Sequence, residues 1–171
     1  VVFEGPEDYH KRLNDKKLKI DENSILIVRG CGPVGYPGAA EVVNMQPPDR
    51  LLKKGIRHLP TLGDGRQSGT SESPSILHVS PESAVGGDLG LVKTGDKMKI
   101  DLNKRRVDLL ISKAEFAKRR KNRKVFKFIN QTPWQEIFRN TVGQLEDGAC
   151  INSRGQYLDV SHTKGLPRDS H

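Results

Sequence analysis

Cysteine is scarce in this 171-residue chain, which has Cys31 and Cys150 and no others. Two thiols cannot build a disulfide framework, and neither belongs to a Cys-x-x-Cys pair, so a reducing compartment is expected. They also fall short of the four thiolates that usually hold an iron–sulfur cluster. Apolar residues make up only 34% of the chain, and no apolar run approaches the roughly 20 residues needed to span a bilayer. The amino terminus, Val1-Val2-Phe3-Glu4-Gly5-Pro6, has neither the basic flank nor the long apolar stretch of a secretory leader. A soluble, cytoplasmic protein without a membrane partner is the expectation. The chain opens without methionine and enters patterned sequence at once, which predicts a piece of something longer. Phosphate-binding fingerprints are missing too: no Gly-Lys-Ser/Thr follows a glycine loop, and no Gly-x-Gly-x-x-Gly opens a helix.

Acidic residues are absent between Lys118 and Lys127, where seven Lys and Arg side chains crowd into ten positions. That segment accounts for nearly all of the net charge of +8, so the basic balance is local and not spread over a face. Seven cations could contact phosphates and make a nucleic-acid-binding module, with affinity falling steeply in salt. Only Phe126 and Phe128 offer stacking faces there, and no recognised nucleic-acid motif surrounds them, so a solvated helix end is the expectation. A noncatalytic interaction domain is the other competing class.

What the chain has in quantity is glycine and proline, 17 and 10 residues, which predicts short elements joined by many turns. Pro6-Glu7-Asp8 suits a first helical turn, giving a short helix through Leu13. Ile25-Leu26-Ile27-Val28 reads as a strand buried on both faces. Asp49 caps a helix to Lys54, and strands are expected over 56–62 and 76–79. Ser80-Pro81-Glu82 reads as a cap with proline at the first helical position. Three strands, 89–92, 97–102 and 106–111, read as a meander with turns at Thr94-Gly95-Asp96 and Asn103-Lys104. Ser112-Lys113-Ala114-Glu115 and Thr132-Pro133-Trp134-Gln135 are capping boxes. The second opens a helix whose Trp134, Ile137, Phe138 and Val142 share one face. The fold class expected is mixed α and β, a β-barrel-like domain with flanking short helices.

Two glycine loops form the candidate site. Gly30-Cys31-Gly32-Pro33-Val34-Gly35-Tyr36-Pro37-Gly38 and Gly63-Asp64-Gly65-Arg66-Gln67-Ser68-Gly69-Thr70 each follow an expected strand. Without Cβ atoms, successive amides can close around an anion such as a carboxylate; the same residues also serve as plain tight turns. Arg66 could pair with a substrate carboxylate or brace the loop against Asp64. His78, set among apolar residues, is read as a core histidine, and Cys31 as a structural thiol.

The motifs Gly32-Pro33-Val34-Gly35-Tyr36-Pro37-Gly38-Ala39-Ala40-Glu41, Gly63-Asp64-Gly65-Arg66-Gln67-Ser68-Gly69-Thr70, His78-Val79-Ser80-Pro81-Glu82-Ser83-Ala84-Val85-Gly86-Gly87 and Gly95-Asp96 come in one order. Together they resemble the carboxy-terminal half of the dihydroxy-acid and sugar-acid dehydratase family over about 3–120. Gly143-Gln144-Leu145 and Pro167-Arg168-Asp169-Ser170-His171 look most like the sugar-acid (aldonate) branch. The resemblance implies a single carboxy-terminal dehydratase domain over 1–171, with a family-like core at 1–120 and a helix and ordered tail at 121–171. The amino-terminal domain that binds the cluster is absent from the chain. It further implies a hydro-lyase that converts a polyhydroxy acid, aldonic or 2,3-dihydroxy, to a 2-keto-3-deoxy acid, using an iron–sulfur cluster held by that missing domain and Mg2+. Ser68 is implied as the base and Thr70 as its support. Glu41 is implied as a metal ligand, and Arg66, Gly69 and His171 as substrate-binding residues. Partners implied are the amino-terminal domain, the small acid substrate and further copies of the same chain, with no nucleic acid. A mitochondrial location would follow for the branched-chain amino-acid type. Gln67 and Ser71-Glu72-Ser73-Pro74 depart from the small, glycine-rich residues more common in the family.

Overall fold

A computed structural model describes residues 1–67, 73–124 and 126–151. Its centre is a four-stranded parallel sheet made from β1 (Val2–Phe3), β2 (Leu26–Val28), β4 (Thr61–Gly63) and β6 (Ser75–Ile76), paired in the order β1-β2-β4-β6. Between β1 and β2 runs α1 (Pro6–Arg12), and between β2 and β4 run β3 (Glu41–Val43) and α2 (Asp49–Leu52). Parallel pairing demands such crossovers, because a tight hairpin can join only antiparallel strands.

Both faces of the sheet are covered, as the unbroken Leu26-Ile27-Val28 run requires. Side-chain alternation sends Phe3, Leu26 and Val28 to one core with Tyr9, Met45, Leu51 and Leu59. Val2, Ile27 and Leu62 go to the other with Leu89 and Val92. The second core is backed by the antiparallel hairpin of β7 (Met98–Asp101) and β8 (Arg106–Leu109), through Met98 and Leu109. The mixed α and β class is thus observed. The described strands make an open parallel sheet, a two-stranded parallel pair of β3 with β5 (Arg66–Gln67), and the hairpin, and no closed barrel forms among the described residues.

One expected strand is corrected. Residues 88–91 form a 3-10 turn, Asp88–Leu91, instead of the first strand of a meander. The reason is Arg29, whose Nη1 donates to the carbonyls of Leu89 (3.1 Å), Gly90 (3.0 Å) and Val92 (2.7 Å). Strand carbonyls alternate in direction, so three carbonyls from four residues reach one guanidinium only in a coiled segment. Likewise 56–62 supplies only β4, 76–79 only the end of β6, and the Ser80 cap gives way to a 3-10 turn, Ser83–Val85, entered from Glu82.

Each expected capping box shows its N-cap half, while the returning side chains go elsewhere, Glu115 to Arg119 and Gln135 to the Gln131 amide. Ser112 Oγ accepts from the Glu115 amide to start α3 (Lys113–Lys121), and Thr132 Oγ1 accepts from the Gln135 amide to start α4 (Pro133–Thr141). The basic segment is a largely exposed helix end, as expected, and three of its arginines also reach the body of the domain. Arg119 pairs with Asp96 and Glu115 and donates to the Leu91 carbonyl at 3.0 Å, Arg120 pairs with Asp88 at 3.0 Å, and Arg123 donates to the Gly86 carbonyl at 2.6 Å. No helix is long and apolar enough to cross a membrane, among the described residues.

Candidate active site

Strands β2 and β4 end side by side, with Val28 in register with Gly63, so the two glycine loops leave the sheet together. A buried carboxylate joins them. Asp64 is fully buried, and its Oδ2 accepts from the amides of Gly30 (3.0 Å) and Ser83 (2.9 Å) and from Ser83 Oγ. Its Oδ1 accepts from the Cys31 amide at 3.0 Å. Glu82, also fully buried, accepts from the amides of Val34 (2.8 Å) and Gly35 (2.9 Å) and from Gln144 Nε2 (2.8 Å). The first loop is therefore held from beneath at its start and its middle. Both carboxylates spend their lone pairs on the frame, which makes them braces and not reacting groups. Close approach explains two glycines: a Cβ on Gly32 would strike the Glu82 carboxylate, and one on Gly65 would lie 2.7 Å from the Cys31 Cβ.

Helix α4 closes over the outer side of the same loop. Arg139 Nε donates to the Val34 carbonyl at 3.1 Å, and the Phe138 ring lies against Gly38. The amphipathic pattern read from the sequence is only half used, for Val142 is buried while Trp134 is 78% and Ile137 53% exposed.

Of the site residues expected from the sequence, the structure brings Glu41 and Arg66 together. They are register partners across the β3–β5 pair, and both are exposed. Arg66 makes no described bond to Asp64, whose oxygens face the other loop, so the bracing alternative is not what holds Asp64 in place. Ser68, Gly69, Thr70 and His171 lie outside the described residues. The residues flanking 68–72 are firmly held. Buried Gln67 donates from Nε2 to Thr61 Oγ1 (3.0 Å), Thr61 Oγ1 donates to Ser75 Oγ (2.8 Å), and Ser75 Oγ reaches the Ser73 carbonyl (2.9 Å). Gln67, which departs from the family pattern, is thus part of the frame.

Cys31 is fully buried, and burial first, then the charge of Asp64, pushes its thiol well above the ordinary range, as a structural thiol requires. His78 is a correction: it is exposed and left-handed (φ 57), with its amide donating to the Gly65 carbonyl at 3.2 Å, so it belongs to a turn and not to the core. Sequence reasoning missed the roles of Asp64, Glu82 and Gln144. The available signal was an acid enclosed by two glycines, a place where a side chain meets little but backbone.

Against known proteins, residues 1–149 match the family model described as dihydroxy-acid/6-phosphogluconate dehydratase, C-terminal. The chain is 54% identical over its whole length to D-xylonate dehydratase of Caulobacter vibrioides, of which it covers 28%. It is 50% identical over 119 residues, 70% of its length, to L-arabinonate dehydratase of Rhizobium leguminosarum bv. trifolii, covering 21% of that protein. With dihydroxy-acid dehydratase of Thermodesulfovibrio yellowstonii the identity is 41% over 87% of the chain and 26% of the relative. The chain thus spans about a quarter of the length of the curated relatives it matches. With the frame of both glycine loops and the order of their motifs matched along nearly its whole length, the chain belongs to the dihydroxy-acid/6-phosphogluconate dehydratase family, as its carboxy-terminal domain.

Proposed function

We propose that the chain is the carboxy-terminal domain of a hydro-lyase that dehydrates an aldonic acid to its 2-keto-3-deoxy acid, within a longer cytoplasmic protein that assembles with copies of itself. The observation that carries this reading is the pairing of Glu41 with Arg66 on adjacent exposed strand positions, two residues before Ser68. An anion-binding guanidinium and an oxygen ligand for a hard cation then flank the start of the Ser68-Gly69-Thr70 segment. The sugar-acid preference is supported by the names of the D-xylonate and L-arabinonate relatives. Exposed Trp134 and Ile137 support an apolar seat for the amino-terminal domain, and strands from outside the described residues would be needed to close the sheet as a barrel.

The thiols do not fit an iron–sulfur cluster. Cys31 is sealed in the core with its proton retained, Cys150 is alone at the surface, and no group of three or more His, Cys, Asp or Glu able to hold a metal occurs among the described residues. No step on this chain passes through a cluster, whose ligands are assigned to the amino-terminal domain. Magnesium fits better, with the exposed Glu41 carboxylate as one oxygen ligand. When bound it supplies positive charge beside the substrate carboxylate, where the enolate-like transition state builds negative charge.

Ser68 Oγ, as an alkoxide, takes the proton from C2. The electron pair of that C–H bond becomes the C2–C3 double bond as the C3–O bond breaks, the hydroxyl departs as water after gaining a proton, and the enol tautomerises to the ketone. Arg66, Gly69 and His171 are assigned to substrate binding, with the Arg66 guanidinium suited to the carboxylate, and Thr70 to the support of Ser68.

The test is a pair of variants in the full-length protein, assayed with D-xylonate, L-arabinonate and a branched 2,3-dihydroxy acid. Ser68→Ala is expected to keep folding and cluster content while lowering kcat by about 10²-fold or more. Glu41→Gln is expected to raise the magnesium concentration needed for half-maximal rate. Near-normal kcat in Ser68→Ala would place the base elsewhere, and preference for the branched acid would remove the aldonate reading.

A further inference from the structure

On the far side of the Gly30 turn lies a cleft of about 690 Å³ that the proposed chemistry does not use. Its walls are the 3-10 turn at 88–91 with Lys93, the outer half of α3, and the segment that follows it. Seven cationic side chains line it against two acids, Glu4 and Glu115. The two acids are already committed, Glu4 to Arg29 and Glu115 to Arg119, and Arg119 also holds Asp96. That leaves Lys93, Lys118, Lys124 and Lys127, all exposed, with no carboxylate partner within 4.0 Å among the described residues, and Arg123, which spends one nitrogen on the Gly86 carbonyl. Holding so many like charges around one concavity is unfavourable without a counter-anion, since neighbouring ammonium groups repel and the cleft walls weaken the screening by water.

We propose that this cleft is a binding site for a small phosphorylated anion, separate from the site at Glu41 and Arg66. The volume falls within the roughly 300–1,000 Å³ usual for small-ligand sites. Lysines suit phosphate because an ammonium is a compact point charge with three donors that can turn toward any oxygen. A nucleic acid is the weaker fit. The ring available in the cleft, Phe126, has its tip turned onto Gly30, where a Cβ would lie 2.6 Å from it, and one face stacked on Phe128 with centroids 5.7 Å apart, which leaves a single ring face for bases where strand binding uses a row of them. The cleft also touches the loop frame: it is lined by Ser83, whose Oγ accepts from the Gly30 amide at 2.9 Å and donates to Asp64.

The experiment is calorimetric titration of the full-length protein with inorganic pyrophosphate, read as binding and so independent of any dehydratase activity. Saturable binding at one equivalent per chain is expected, weakened about tenfold or more in a Lys118→Gln/Lys124→Gln variant. A Lys53→Gln/Lys54→Gln variant removes the same charge at the exposed end of α2 and should bind as the parent does. Three results would overturn the proposal: no saturable binding, equal weakening by both variants, or displacement of pyrophosphate by a saturating aldonate. Tighter binding of a single-stranded oligonucleotide than of pyrophosphate would replace it with a nucleic-acid site.

Discussion

Asp64 shows how one side chain can settle the shape of a site without entering its chemistry. Three backbone amides and a hydroxyl converge on its two oxygens in a fully buried place. Asp64→Ala would leave the buried Cys31 and Ser83 amides without their acceptor and the Gly30 amide with Ser83 Oγ alone, a loss of about 3–5 kcal/mol, enough to consume much of the stability of an ordinary domain. The full-length variant is expected to lose most of its soluble yield, whereas Ser83→Ala, which removes one hydroxyl, should cost only about 1 kcal/mol in thermal unfolding. Equal behaviour of the two variants would show that Asp64 is not the main brace. At this scale the sequence was a partial guide. Glycines at Gly32 and Gly65 announced close approach, but what approached, Glu82 in one case and Cys31 in the other, comes from residues distant in sequence. His78 misled because apolar sequence neighbours say nothing about a left-handed turn that carries a side chain outward.

Among elements, α3 is held to the body by charge instead of apolar burial, for none of its residues is buried. Its anchor is Arg119, 11% exposed in its side chain and bonded to Asp96, Glu115 and the Leu91 carbonyl. Burial alone would raise the Asp96 carboxyl, but the Arg119 hydrogen bond, the Lys93 amide and both cations together hold it below the usual range. A depressed carboxyl stabilises the fold above its unfolded value, about 3.9, and that contribution is lost as pH falls through the lower native value. Arg119→Met is expected to cost about 1–2 kcal/mol near neutral pH, read as roughly 5–30-fold faster hydrogen exchange in α3, with the difference from the parent shrinking on acidification below that range. An unchanged exchange rate would assign the anchor to Phe116 and Arg120 instead. Elements whose cause is local were legible: the N-caps at Ser112 and Thr132 and the apolar run of β2 needed no distant partner. The turn at 88–91 and the β3–β5 pair were not, because Arg29 and a register between positions 41 and 66 decide them.

For the whole molecule, a quarter of a relative's length carries an exposed Trp134, one half of an apolar helix face and an exposed carboxylate, Glu41, in register with Arg66. Each reads as one side of a junction. The purified 171-residue chain is therefore expected to show no dehydration of D-xylonate or L-arabinonate and to bind no iron–sulfur cluster on reconstitution; turnover by the chain alone would overturn the proposal that a further domain supplies the cluster. The hydroxyl relay runs from Gln67 through Thr61 and Ser75 to Ser73, two of these residues before and two after the interval 68–72. Because both flanks of the five intervening positions are fastened to the same threonine-centred knot, the points where the chain leaves and rejoins the sheet are set by the sheet itself. A change at Thr61 would therefore reach both ends of the interval at once, although position 61 lies outside it in sequence.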